Sequence, residues 1–103
     1  MTRFVLTSQA AQDLSDIWDH IAADNAGAAD RVLADLERAM QKLARSPKIG
    51  HLREELADRR HRFFLVFSYL IVYRAGTKPL EVIRVLHASR DVQSILGFGP
   101  EED

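Results

Sequence analysis

The chain has 103 residues, enough for one hydrophobic core and too few for two, and its formal net charge is -1. It has no cysteine, which excludes a disulfide framework and any thiolate metal site. No apolar run approaches the roughly 18 to 20 residues that span a bilayer, and the N-terminus MTRFVLTSQ lacks a basic head followed by an apolar signal core, so a cytoplasmic protein with no membrane partner is expected.

Residues 3–6 (RFVL) are short and β-prone, and Thr7 or Ser8 offers a side-chain oxygen to cap a following helix. In SQAAQDLSDIWDHIAADN, Ala11, Leu14, Ile17, Trp18, Ile21 and Ala22 recur at helical spacing, with Asp13, Asp16, Asp19 and His20 elsewhere on the wheel. Asn25, Ala26 and Gly27 are expected to break that helix through a left-handed residue. A second helix from near Ala28 then aligns Ala29, Val32, Leu33, Leu36, Met40 and Leu43 and stops at Ser46-Pro47. So short a connection makes the two helices an antiparallel hairpin.

Periodicity fails over PKIGHLREELADRRHR, which reads as a long loop pinned by Ile49, Leu52 and Leu56, with one helical turn around residues 54–58. Loops of this length in compact domains are usually functional or mobile. Then RFFLVF, SYLIVYRA and PLEVIRVLHAS, with turns near Ser68 and at Gly76-Thr77-Lys78-Pro79, predict three antiparallel strands. Strict alternation sets Tyr69, Ile71 and Tyr73 against Leu70, Val72 and Arg74, and Leu80, Val82, Arg84 and Leu86 against Glu81, Ile83, Val85 and His87. Both faces are apolar, so one covers the hairpin and the other is expected to await a partner.

The result is an α+β two-layer domain: an N-terminal strand and a helical hairpin packed on a mainly antiparallel sheet of three to four strands. Residues 1–96 form this domain and residues 97–103 an acidic C-terminal tail. Charge is segregated along the chain: residues 1–44 hold four Lys/Arg against seven Asp/Glu, residues 45–90 ten against four, and the remainder none against four. A basic second half favours an anionic partner, nucleic acid or an acidic protein segment, and a solvated basic face is the plain alternative.

The pieces LTSQAAQDLSDIWDHIAADN, AADRVLADLERA, SPKIGHLREEL, SYLIVYR and IRVLHASRD, in this order over about residues 4–92, resemble the RelE/ParE superfamily of toxins of type II toxin–antitoxin modules. The ending His87-x-x-Arg90-Asp91 looks more like the ParE branch. The resemblance implies a small toxin neutralised by a cognate antitoxin whose C-terminal segment wraps the toxin surface. It also implies one of two activities: ribosome-dependent cleavage of messenger RNA in the RelE branch, or inhibition of DNA gyrase in characterised ParE members.

Cleaving RNA needs a base, an acid and cations on the scissile phosphate. Interferases resemble one another in an arginine early on the middle strand, where this chain has Leu70, and in a basic cluster near the end, where it offers His87 and Arg90. The catalytic candidates are therefore only His87, Arg90 and Arg84, and a non-enzymatic gyrase inhibitor is the favoured expectation. A ribosome-dependent messenger RNA interferase is the rival. A module that binds antitoxin without toxicity is the third reading.

Arg62, Arg74, Arg84, His87, Arg90 and Asp91 are the target-binding candidates. Trp18, Ile21, Leu36, Met40, Tyr69 and Tyr73 are the antitoxin-binding candidates, although their helical and strand positions equally suit a core. His87 is expected to pair with Asp91, His61 among Arg59, Arg60 and Arg62 to be solvated, and His51 to line a site or cap the loop. No metal or cofactor is assigned, because no two histidines stand at i, i+4 and cysteine is absent.

Overall fold

The computed structural model describes residues 3–52, 60–90 and 92–96. The expected turn at residues 54–58, the Asp91 position and the tail 97–103 lie outside the described residues. The first strand, β1 (Phe4–Leu6), runs into helix α1 (Ser8–Ala22). Thr7 makes the junction: its hydroxyl oxygen accepts from the Ala10 amide at 3.0 Å and its O–H donates to the Ile83 carbonyl at 2.7 Å, so one side chain caps the helix and ties it to the sheet.

Helix α2 (Ala26–Arg45) starts two residues before its expected place. Asn25 is extended at φ -160°, and its side-chain oxygen accepts from the Ala28 amide at 2.9 Å. The break is therefore made by an N-cap and not by a left-handed terminator, and Gly27 lies within the first turn of α2. Across the hairpin the Trp18 indole N–H donates to Asp30 at 2.9 Å. The buried stripe of α1 runs through Ala10 and Ile17, with Leu14 and Ile21 packed beside them, whereas Ala11 and Trp18 face solvent.

Strands β2 (His61–Val66), β3 (Tyr69–Arg74) and β4 (Leu80–His87) form antiparallel pairs, and β1 adds parallel to β4, giving the order β1-β4-β3-β2. The hairpin covers one face, where Leu36, Met40, Leu43, Ile71, Tyr73, Val82 and Val85 are buried together. The strict alternation expected for β4 fails: a bulge opposite Val72/Tyr73 shifts the register, so Val82 and Val85 lie on the same core.

The opposite face is not left open. Phe63, Leu70, Val72 and Leu86 form a second buried cluster closed by Val92 of the short helix α3 (Val92–Leu96), with Ile95 and Leu96 packed against it. Burying a valine there contributes about 1.5 to 3 kcal/mol. The partner surface expected on this face is thus largely covered by the chain itself, although Leu65 of β2 stays 57% exposed.

The segment after α2 makes a 3-10 turn, Pro47–Ile49, and then a bridge from His51 to Phe63. The buried Tyr73 hydroxyl stitches it down, accepting from the Gly50 amide at 2.9 Å and donating to the Pro47 carbonyl at 2.6 Å. Only glycine fits at position 50, since a Cβ there would stand 2.3 Å from that hydroxyl oxygen. Arg62 adds hydrogen bonds to the carbonyls of Gly50 at 2.8 Å and Lys48 at 3.3 Å. His61 is buried at 5% exposure, contrary to the solvated position expected for it, because it starts β2 paired opposite Arg74 of β3.

Candidate functional site

The residues around His87 meet at the mouth of a cleft of about 330 Å³ between α1 and the His87 end of β4, lined in part by Asp13, Asp16, His20, Tyr69, His87 and Arg90. β4 ends at His87, and the turn through Ala88 and Ser89 is fixed by the Ala88 amide donating to the Ser68 carbonyl at 2.7 Å. His87 is exposed and stands edge-on to the Tyr69 ring across the strand pair, with centroids 5.4 Å apart.

The Nδ1 atom of His87 accepts from the Ser89 amide at 3.1 Å and lies 2.7 Å from the Ser89 hydroxyl. An amide N–H needs a lone pair on Nδ1, so the neutral ring carries its proton on Nε2 and has no free lone pair there. Its expected partner, Asp91, lies outside the described residues.

Arg84 is not a cation awaiting a phosphate. Its Nε and Nη2 grip the two oxygens of Asp13 at 2.7 and 2.9 Å, and the Val85 amide donates to the same carboxylate at 2.9 Å. Both side chains are mostly buried, at 17% and 12% exposure. The Asp13 carboxylate holds the Arg84 guanidinium above its already high ordinary pKa, with burial opposing. Arg84, expected as a catalytic or target-binding cation, is here the tie between α1 and β4.

Of the described target-binding candidates, His87 and Arg90 share this cleft, and Asp13 and Asp16 line it with them. Arg62 and Arg74 lie elsewhere, beside the turn that follows β3. Arg84 already holds Asp13, so among the described lining residues Arg90 is left with Asp16, and a lone arginine beside a carboxylate makes a poor seat for a scissile phosphodiester. Among the described residues no group of three or more His, Asp or Glu is placed to hold a metal ion.

The antitoxin-binding candidates divide by burial. Leu36, Met40 and Tyr73 are 0 to 1% exposed and belong to the core, because the hairpin packs its full stripe on the sheet. Ile21 packs partly buried against that core, and Tyr69 is partly buried beneath His87. Trp18 is the exposed member, at 38%.

Sequence reasoning missed a groove of about 440 Å³ between β1 and the hairpin, lined by Phe4, Leu6, Leu14, Leu33 and Ala34, with Met40 at its floor and Asp30 and Glu37 beside it. Beyond Phe4 the surface changes sign, to Arg3 and Arg45. The signal available in the sequence was the length of β1, whose three residues are too few to cover the longer helices beside it. An acidic partner segment, as expected from the basic second half, does not suit the Asp30 and Glu37 end of this groove.

No helix among the described residues is long and apolar enough to cross a membrane. The family model of the ParE toxin of type II toxin–antitoxin system, parDE, matches residues 4–92. Toxin ParE1 of Mycobacterium tuberculosis is 32% identical over 94 residues, covering 88% of this chain and 94% of that protein. Toxin ParE1 of Caulobacter vibrioides is 32% identical over 105 residues, covering 94% of this chain and 100% of that protein. The fold is similar to a chain of the chromosomal ParDE TA system from P. aeruginosa, with a TM-score of 0.72 at 20% identity over 86% of this chain and 98% of that one.

Proposed function

The chain belongs to the family of ParE toxins of type II toxin–antitoxin systems, and from that premise we propose that it arrests growth by binding DNA gyrase, without catalysis, until a cognate antitoxin neutralises it. The observation that carries the non-catalytic reading is the Asp13–Arg84 pair: the β4 arginine expected as a catalytic cation is closed by a bidentate carboxylate. His87 adds to it, since its Nδ1 is already engaged by the Ser89 amide.

Antitoxin docking is assigned to the apolar groove beside β1, which suits one side of an amphipathic segment. Its change of sign from Asp30 and Glu37 to Arg3 and Arg45 favours a segment with basic residues at one end and acidic ones at the other.

The test pairs two assays on the purified full chain. Inhibition of gyrase supercoiling with ribosome-bound messenger left intact in cell-free translation is the expected result. Messenger cleavage with gyrase unaffected would restore the interferase reading.

A further inference from the structure

At the opposite end of β3 from Tyr69 and His87, a pocket of about 400 Å³ is lined by Lys48, Arg60, Arg62, Arg74 and the turn Ala75-Gly76-Thr77. Its cations come from separate elements held in fixed relation. Arg62 and Arg74 sit on paired strands in register, Arg62 opposite Tyr73 and Arg74 opposite His61. Lys48 stands on the 3-10 turn that the Tyr73 hydroxyl and the Arg62 guanidinium tie to the sheet. The pocket is therefore built before any ligand arrives.

The counter-charge on Arg74 is loose. Glu81 reaches Arg74 at 3.6 Å, and both side chains are about a third or more exposed, so the pair contributes little and can be exchanged for a better anion. Arg74 presents a planar fork that matches phosphate oxygens, and Arg62 beside it, one of whose nitrogens holds the Lys48 and Gly50 carbonyls, adds a second positive charge. Among the described residues the lining offers no apolar side chain larger than Ala75, so an amphipathic acidic helix would find little to pack on, whereas a sugar-phosphate backbone needs no such surface.

We propose that this pocket is a phosphodiester-binding seat through which the toxin itself holds a nucleic-acid backbone. It is separate from the His87 cleft and from the apolar groove, and it stands whether or not gyrase is the target.

The test is fluorescence anisotropy of the purified full chain with a labelled short DNA duplex across a salt series. Removing one cation that neutralises a phosphate should lower the slope of log affinity against log salt by about 0.9. Lys48→Gln with Arg74→Gln should thus flatten the slope by about 2 and weaken binding at low salt roughly tenfold or more. Arg62 is left intact because it holds the 3-10 turn, and circular dichroism confirms that the double variant is folded. Arg31→Gln with Arg38→Gln, on the exposed face of α2, should change nothing.

A matching loss on single-stranded RNA assigns the pocket to phosphodiesters in general, and a loss on duplex alone to DNA; both support the proposal. An unchanged slope in the double variant overturns it. So does an equal loss from the α2 variants, or tighter capture of poly-glutamate through Lys48 and Arg74, which would make the pocket a seat for an acidic protein segment.

Discussion

Replacing Asp13 by alanine should be a damaging single change at the contact between α1 and β4, because one carboxylate serves three donors. Two come from Arg84, at 2.7 and 2.9 Å, and one from the Val85 amide, at 2.9 Å. Breaking a buried ion pair from one side costs about 3 to 5 kcal/mol, and stranding a buried backbone N–H about 1 to 3. Arg84 retains some exposure to water, at 17%, and would relax into the cleft, which brings the expected loss to about 3 kcal/mol. For a domain of this size that corresponds to a fall in Tm of about 15 °C.

Urea unfolding followed by far-UV circular dichroism measures the loss directly. Asp13→Asn keeps an acceptor for Val85 and should lose about half as much. In a cycle with Arg84→Ala, the coupling between the two sites should reach about 2 kcal/mol. A loss below about 0.5 kcal/mol for Asp13→Ala, or a coupling near zero, would show that the pair is ornamental and would reopen Arg84 as a functional cation.

Gly50→Ala forces the Tyr73 hydroxyl away from Pro47 and Gly50 and should cost about 2 kcal/mol or more, read as a lowered urea midpoint. Tyr73→Phe should cost about 1 to 2 kcal/mol, since it leaves a buried amide and carbonyl without their partner. Burial raises the Tyr73 pKa above its ordinary 10.0, against smaller lowering effects from the Gly50 hydrogen bond and Arg62. The unfolded chain therefore releases this proton first, so stability is full below pH 10.0 and falls as pH rises towards the folded value; a pH series of urea midpoints should show this drop in the parent and not in Tyr73→Phe. His87→Gln should retain substantial toxicity on induction, because Gln still offers an acceptor to the Ser89 amide, whereas Arg90→Ala should weaken it; loss of growth inhibition in a folded His87→Gln protein would favour the catalytic reading. Phe67→Gly should raise stability by about 0.5 to 1 kcal/mol, because Phe67 sits at φ 55° with its side chain 64% exposed, and an unchanged urea midpoint would show that the ring packs more than its exposure suggests.

The elements were legible wherever local chemistry decided them. Thr7 as a cap, the α2 stripe through Leu36, Met40 and Leu43, and the two-residue turn at Phe67-Ser68 all follow from periodicity and capping. What escaped depended on partners distant in the chain. Asn25 suits either end of a helix, and nothing nearby says which. The β4 bulge responds to Val72 and Tyr73 on another strand, so alternation alone put Val85 on the wrong face. Arg84 looked like a free cation because Asp13 stands 71 residues earlier. Tyr73 looked like a docking residue because its hydroxyl partners, Pro47 and Gly50, lie in a segment without periodicity.

The parallel pairing of β1 with β4 bears on how the chain behaves while it is being made. Phe4 must wait for Leu80, and Leu6 for Val82, so the sheet has no place for its first strand until its last has left the ribosome. The helical hairpin is complete at Arg45 but its apolar stripe has nothing to cover it until β3 and β4 follow. At about 5 to 20 residues per second, the interval from Arg45 to His87 lasts about 2 to 8 s. A nascent chain halted inside that window presents a bare stripe without a finished surface for any target. Such a fragment should be cleared or aggregate without harming the cell that made it.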